Sequence, residues 1–160
     1  MVTKLQDKDN FLVGVISDTH GVLLPEAVKA LEGADLIIHA GDIGKPEILE
    51  ALRVVAPVLA VRGNMDWGEW TRDIPETEIV EIGEILLYVL HNANELDLEP
   101  AAAGFRAVIS GHTHRPSIDR RNGVLFLNPG TAGPFRSPAS IALLHLHEST
   151  LDAQLVMLKS

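Results

Sequence analysis

Phe11-Leu12-Val13-Gly14-Val15-Ile16-Ser17, followed at once by Asp18-Thr19-His20-Gly21, is the stretch from which the fold can be read outward. A continuous apolar run rich in β-branched residues is expected of a strand buried on both faces. Pro25 then sits in a first helical turn, and Ala27, Val28 and Leu31 form an apolar stripe that ends at Gly33. A second strand is predicted over 35–40, closed by Gly41-Asp42, and a second helix starts at Pro46 with Ile48, Leu49 and Leu52 facing inward. A third strand over 57–61 ends at Arg62-Gly63-Asn64. The order β-α-β-α-β implies a parallel sheet with right-handed crossovers.

After Asp73 the pattern changes. Two strands over 76–82 and 85–90 are joined by a tight turn at Gly83-Glu84, and the second ends at His91. A helix is predicted over 96–103 and a strand over 107–110. Strands over 117–121 and 124–127 flank Asn122-Gly123, a type I′ hairpin signal. Strands over 140–147 and 151–158 form a last antiparallel pair. With no linker and no internal repeat, residues 1–160 read as one domain. The expected class is α/β: two packed mixed β-sheets flanked by helices, a four-layer α-β-β-α sandwich.

Composition narrows the function. A chain of 160 residues buries roughly 68–70% of its unfolded surface in one core. Hydrophobic residues at 46% and charged residues at 22% are ordinary globular values, so no disorder is invoked. The net charge of −9 argues against an extended grip on a nucleic-acid backbone, which clustered Lys and Arg normally supply. The absence of cysteine excludes disulfides and thiolate metal sites. The run over 11–17 is too short to cross a membrane, and a cytoplasmic protein is expected.

Polar residues gather where strands end. In Ser110-Gly111-His112-Thr113-His114 the two histidines occupy positions i and i+2 and point the same way if extended. Asp18, Asp42, Asn64, His91 and His112 each follow the carboxyl end of a predicted strand, the edge where open α/β sheets bind ligands. His20 and His114 lie two residues beyond Asp18 and His112. The donors are carboxylate and amide oxygens plus four imidazoles, a set suited to divalent Mn, Fe, Co, Ni or Zn. Seven ligands are too many for one ion. They suit two ions roughly 3.5–4 Å apart that share a carboxylate, an arrangement used to hydrolyse phosphate esters. Gly41, Gly63 and Gly111 immediately precede candidate ligands, where the missing side chain allows close approach or unusual backbone angles.

The series Asp18-x-His20, Gly41-Asp42, Gly63-Asn64-x-Asp66, His91 and Gly111-His112-x-His114 resembles the calcineurin-like metallophosphoesterases, in particular their compact bacterial and archaeal phosphodiesterases. The matched motifs span about residues 11 to 131. The resemblance implies Asp18, His20, Asp42 and His114 around one metal and Asp42, Asn64, His91 and His112 around the other, with Asp42 bridging. It also implies hydrolysis of phosphate esters, phosphodiesters first, by a metal-bridging hydroxide that attacks phosphorus. Asn64 and Asp42 are the catalytic candidates, Asn64 through an amide hydrogen bond to the phosphate. The cofactors are two divalent ions, manganese ahead of iron, cobalt, nickel or zinc. A small-molecule phosphate ester is the expected partner, with no membrane, and compact relatives often self-associate. The alternative is a non-catalytic protein-interaction scaffold of the same fold, as in the related retromer subunit.

The chain departs from the family pattern at two places. Met65 stands where many members have a histidine that protonates the leaving group, which predicts slower turnover of alkoxide than of activated aryl esters. His20 is the candidate substitute. Asn92 follows His91 where relatives usually have Gly, and Asn can keep a left-handed turn there. Other residues have bland readings: His39 as a buried, satisfied histidine, His145 and His147 as members of an exposed sheet face, and Asn128-Pro129-Gly130-Thr131 as a plain turn. Trp67 and Trp70 offer either an aromatic wall for a base or aryl group, or core cover or a subunit contact. Arg62, Arg115 and Arg136 are the nearest cations for a phosphate.

Overall fold

Strand β2 (Asn10–Ile16) is buried along nearly its whole length, as its apolar run requires, and the two sheets are arranged around it. The structure, a computed structural model, describes residues 2–5, 10–134 and 138–158. Strands β1 (Val2–Leu5), β3 (Leu36–His39), β4 (Val58–Ala60), β5 (Thr77–Ile82), β6 (Ile85–Leu90) and β7 (Phe105–Ile109) follow. Strands β8 (Ser117–Arg121), β9 (Val124–Asn128), β10 (Ser140–His147) and β11 (Thr150–Met157) complete the set. One sheet has the order β11-β10-β2-β3-β4 and the other β1-β5-β6-β7-β9-β8.

Both sheets are mixed. In the first, β2, β3 and β4 run parallel while β10 and β11 are antiparallel additions. In the second, β6, β7 and β9 are parallel to one another. Val13, Val15 and Ile38 of one sheet meet Val80, Leu87, Ile109 and Leu127 of the other in the central core. Helices α1 (Pro25–Leu31) and α2 (Pro46–Val55) cover the far face of the first sheet, where Leu31, Ile48 and Leu52 pack on Ile16, Ile37 and Ile141. Both helices begin at proline, whose fixed φ suits the first turn and whose missing N–H has no partner to lose there.

The observed elements differ from the sequence-based expectation in two ways. The region 96–103 is not an α-helix. A 3-10 turn at Ala93–Glu95 leads into successive turns, from which Leu96 and Leu98 cover Tyr88, Leu90, Phe105 and Val124 on the outer face of the second sheet. Pro100 lies in mid-segment, where it removes a backbone donor and turns the preceding residue away from helical angles. The fourth layer is therefore irregular. The second difference is β1, which the mixed run Val2-Thr3-Lys4-Leu5 does not announce and which pairs parallel with β5. The hairpin at Asn122-Gly123 is as predicted, with φ of 53° and 79°.

Gly14 sets how closely the first helix lies on its sheet, because a Cβ at this position would run into the Leu31 side chain, which is fully buried. Gly14→Val should therefore lower the unfolding free energy by about 1–3 kcal/mol through overpacking. Urea denaturation measures this, and an unchanged midpoint would contradict the close packing.

Candidate metal centre

Five strand ends open onto one edge of the sandwich. β2, β3 and β4 deliver Asp18, His20, Asp42 and Asn64 from the first sheet, while β6 and β7 deliver His91, His112 and His114 from the second. Backbone hydrogen bonds stitch the loops together: Asp18 N–H donates to Gly41 O (3.0 Å), His20 N–H to Asp42 O (3.0 Å) and Gly111 N–H to His91 O (2.9 Å). Asp18, His20, Asp42, His112 and His114 have φ between 47° and 73°. Left-handed backbone at non-glycine residues costs roughly 1–2 kcal/mol each and persists only where the surroundings over-determine it.

The carboxylates are held by one oxygen each. Asp18 Oδ2 accepts from Ser17 Oγ (2.6 Å) and from His112 N–H (3.0 Å). Its Oδ1 then faces His114 Nε2 at 3.3 Å, His20 Nε2 at 3.6 Å and His91 Nε2 at 3.9 Å. Asp42 Oδ1 accepts from Met65 N–H (2.9 Å), leaving Oδ2 at 3.3 Å from His91 Nε2 and 3.7 Å from His20 Nε2. Ligand atoms of Asp18, His20 and His114 all lie within 4.8 Å of one another, as do those of Asp18, Asp42 and His91. His112 and Asn64 sit beside each other at the rim, with Nδ1 and Oδ1 3.2 Å apart. The His112 ring meets that of His91 edge-on at 5.2 Å.

The tautomer of His91 tests whether a cation fits. Its Nδ1 lies 2.8 Å from Ala40 O, an acceptor, so Nδ1 carries the proton and a neutral ring points its Nε2 lone pair at two carboxylate oxygens. Asp18 Oδ1 and His91 Nε2 are buried with no hydrogen-bond partner. Facing acceptors at this distance repel unless a proton or a metal ion lies between them, and nearly all other buried polar groups in proteins are satisfied. The donor set therefore fits divalent cations. Close packing also depends on glycine: a Cβ on Gly41, whose φ is 103°, would lie 2.7 Å from His91 Nδ1.

The protonation equilibria follow the same geometry. Burial alone would raise Asp42, but the adjoining His91 ring, the Met65 N–H and the charges of His91 and His20 hold its carboxyl below the usual range. Burial alone would lower His91, yet Asp42, the Ala40 carbonyl and the charge of Asp18 raise it. His39 is different. Burial, with the like charge of His91, pushes it down to about 3, and both its nitrogens are used. Nδ1 accepts from Gly41 N–H (3.1 Å) and Nε2–H donates to Thr19 Oγ1 (3.0 Å), so His39 is the satisfied core histidine expected of it.

Several residues hold the site without belonging to the candidate ligand set. Asp66 is buried and accepts from the N–H groups of Ile43, Gly44 and Gly63, clamping the Asp42 loop to the Asn64 loop. The sequence motif contains Asp66 but does not disclose this task. Asn128-Pro129-Gly130-Thr131 is more than a plain turn. Asn128 Nδ2 donates to Gly111 O (2.9 Å) and Thr131 Oγ1 to Asp18 O (2.9 Å), so the turn braces two ligand loops. Asn92 is extended, not left-handed, with φ −115°, and its side chain accepts from Asn94 N–H. Trp70 packs against the helix-side core, whereas Trp67 is 77% exposed. Arg62 is paired with Glu76 (3.2 Å), Arg115 is exposed, and Arg136 lies outside the described residues. His145 and His147 lie exposed on β10.

Comparison with known proteins shows the family and the fold. The sequence model described as the calcineurin-like phosphoesterase superfamily domain matches residues 11–149. A probable metallophosphoesterase of Methanocaldococcus jannaschii is 39% identical over 158 residues, covering 91% of this chain and 80% of its own. A phosphodiesterase of the same organism is 33% identical over 137 residues, covering 74% of this chain and 82% of its own. Among solved structures, vacuolar protein sorting 29 of Cryptosporidium parvum superposes with a TM-score of 0.76 at 22% identity, over 96% of this chain and 100% of that one. That likeness concerns the fold.

Two outcomes are expected from the supporting residues. Asp66→Asn places an amide donor among backbone donors and should cost about 2–3 kcal/mol of stability, with weaker metal binding measurable by calorimetry; wild-type affinity in the variant would refute the clamp. For His39, an unfolded imidazole takes its proton near pH 6.5, whereas the folded one resists protonation until about 3. The folded state therefore loses stability as pH falls from 6.5 towards 3, because the unfolded chain binds the extra proton in that window. Chemical denaturation of chelator-treated protein should show a shallower acid decline in His39→Gln than in wild type.

Proposed function

Since the chain belongs to the calcineurin-like phosphoesterase superfamily, we propose that it is a hydrolase of phosphate esters, phosphodiesters foremost, working with two divalent ions. The observation that carries this reading is that Asp18 Oδ1 and His91 Nε2 are buried and, with the His91 proton on Nδ1, make no hydrogen bond, a lack that a cation makes good. Asp18, His20, Asp42 and His114 hold one ion; Asp42, Asn64, His91 and His112 hold the other, with Asp42 shared. In support of a shared Asp42, its Oδ2 lies 3.7 Å from His20 Nε2 and 3.3 Å from His91 Nε2, one imidazole from each set, while Asp18 is common to the two groups in which ligand atoms converge, Asp18 with His20 and His114 and Asp18 with Asp42 and His91. When bound, two divalent ions, manganese first, supply Lewis acidity that offsets phosphoryl charge and lowers the pKa of water.

The chain's own residues do the rest. Ala40 O fixes the His91 ring so that Nε2 faces the site. Met65 N–H and Ser17 Oγ hold Asp42 and Asp18 by the oxygens turned away from the imidazoles. Asn64, at the rim beside His112, turns Oδ1 towards the ring and keeps its NH2 for a phosphoryl oxygen. Met65 has no proton to give, and the Asp66 carboxylate is occupied by backbone N–H groups. Without a general acid in this loop, esters with good leaving groups turn over faster than simple alkyl esters.

A scaffold of the same fold that held no metal would leave those two ligand atoms unsatisfied beside five residues in left-handed backbone. Protein purified without chelator should contain close to two metal ions per chain and hydrolyse bis(p-nitrophenyl) phosphate when Mn²⁺ is added. Asp42→Asn should reduce turnover by about 100-fold or more and lower the metal content. Metal-free protein inactive with every ion tried would favour the scaffold, and near-normal turnover in Asp42→Asn would rule out the shared carboxylate.

A further inference from the structure

A cavity of about 470 Å³ opens beside the candidate centre on the side of the second sheet. Asn64 and His91 belong to its lining, and the latter is 5% exposed with Nε2 lacking a hydrogen-bond partner. A phosphoryl group held at the candidate centre would have this space next to it for one of its ester substituents. The rest of the wall therefore bears on which substituent enters.

That wall is acidic. Arg62, Glu76, Glu95 and Asp97 all line it, and Arg62 already pairs with Glu76 at 3.2 Å. Glu95 and Asp97 form no ion pair among the described residues and lie exposed at the surface of the cavity. One cation against three carboxylates leaves a local charge of −2, in a chain whose net charge is −9. Tyr88 and Leu90 add nearly buried apolar and aromatic surface to the same wall. A second anionic group is repelled from such a space. An ammonium group on a short carbon stem is attracted by the carboxylates.

Resting on the phosphoesterase reading above, we propose that the cavity lined by Asn64, His91, Glu95 and Asp97 is a substituent subsite selecting phosphodiesters of a cationic amino alcohol over those carrying further negative charge. Glu95 and Asp97 set the preference by charge, and Arg62 is withheld from phosphate by Glu76. Exposed carboxylates act through solvent, so the effect is moderate and falls with salt.

The test uses three p-nitrophenyl phosphodiesters that differ in the second alcohol: choline, ethanol and 3-hydroxypropionate. With the Mn²⁺-loaded protein at low ionic strength, kcat/KM should fall in that order over a range of about tenfold, and the range should shrink at 0.5 M salt. In Glu95→Gln/Asp97→Asn the order should level out. Calorimetric titration with phosphocholine and with ethyl phosphate gives a second readout independent of turnover, with phosphocholine binding more tightly to wild type alone. Equal rates for the three esters in wild type, or a preference that survives in the double variant, would overturn the subsite while leaving ester hydrolysis intact. Failure to hydrolyse any of the three would overturn both readings.

Discussion

Asp18, Asp42 and the imidazoles of His20, His91 and His114 crowd potential ligand atoms together at 3.3 to 3.9 Å, and holding that crowd in place is the constraint on which the rest of the edge depends. Such a cluster is stable only if something positive sits in it or if the surrounding chain prevents it from spreading. The loops show the second requirement being met. The left-handed angles at five ligand candidates, the Asp66 clamp and the Asn128 brace all limit how far the side chains can retreat.

The stability behind this constraint lies elsewhere in the fold. The central core between the two sheets and the helix-side core under α1 and α2 are built from Val, Ile and Leu with little or no exposed surface. These layers fix the ends of β2, β3, β4, β6 and β7 at a common edge, so the strained loops need only close short gaps. Strain concentrated at one edge and offset by ordinary burial behind it is the pattern expected of a preorganised site.

Charge has a comparable division of labour. A chain with a net charge of −9 has no long-range attraction for phosphate. On the proposed reading, affinity for such an anion is created within a few ångströms, by cations held in the Asp and His cluster. The nearby arginine does not supply it, because Arg62 faces Glu76. The same acidity that hinders a polyanionic ligand favours retention of divalent ions.

The sequence alone determined the alternation of β2, α1, β3, α2 and β4, because uninterrupted apolar runs, N-terminal prolines and terminal glycines act through local sterics and burial. It also offered seven candidate ligands, five just after strand ends and two, His20 and His114, two residues further along, because a run of apolar residues ends where polar ones begin. Three things were decided by tertiary structure. Pro100 breaks the expected helix locally, but where the irregular segment lies, with Leu96 and Leu98 over Tyr88, Leu90 and Phe105, is set by the sheet surface beneath it. Strand β1 exists because β5 offers an edge, and no local pattern records a distant partner. The roles of Asp66 and Asn128 are likewise invisible in the sequence, because a hydrogen bond to the backbone of another loop depends on where that loop lies and not on which residues compose it.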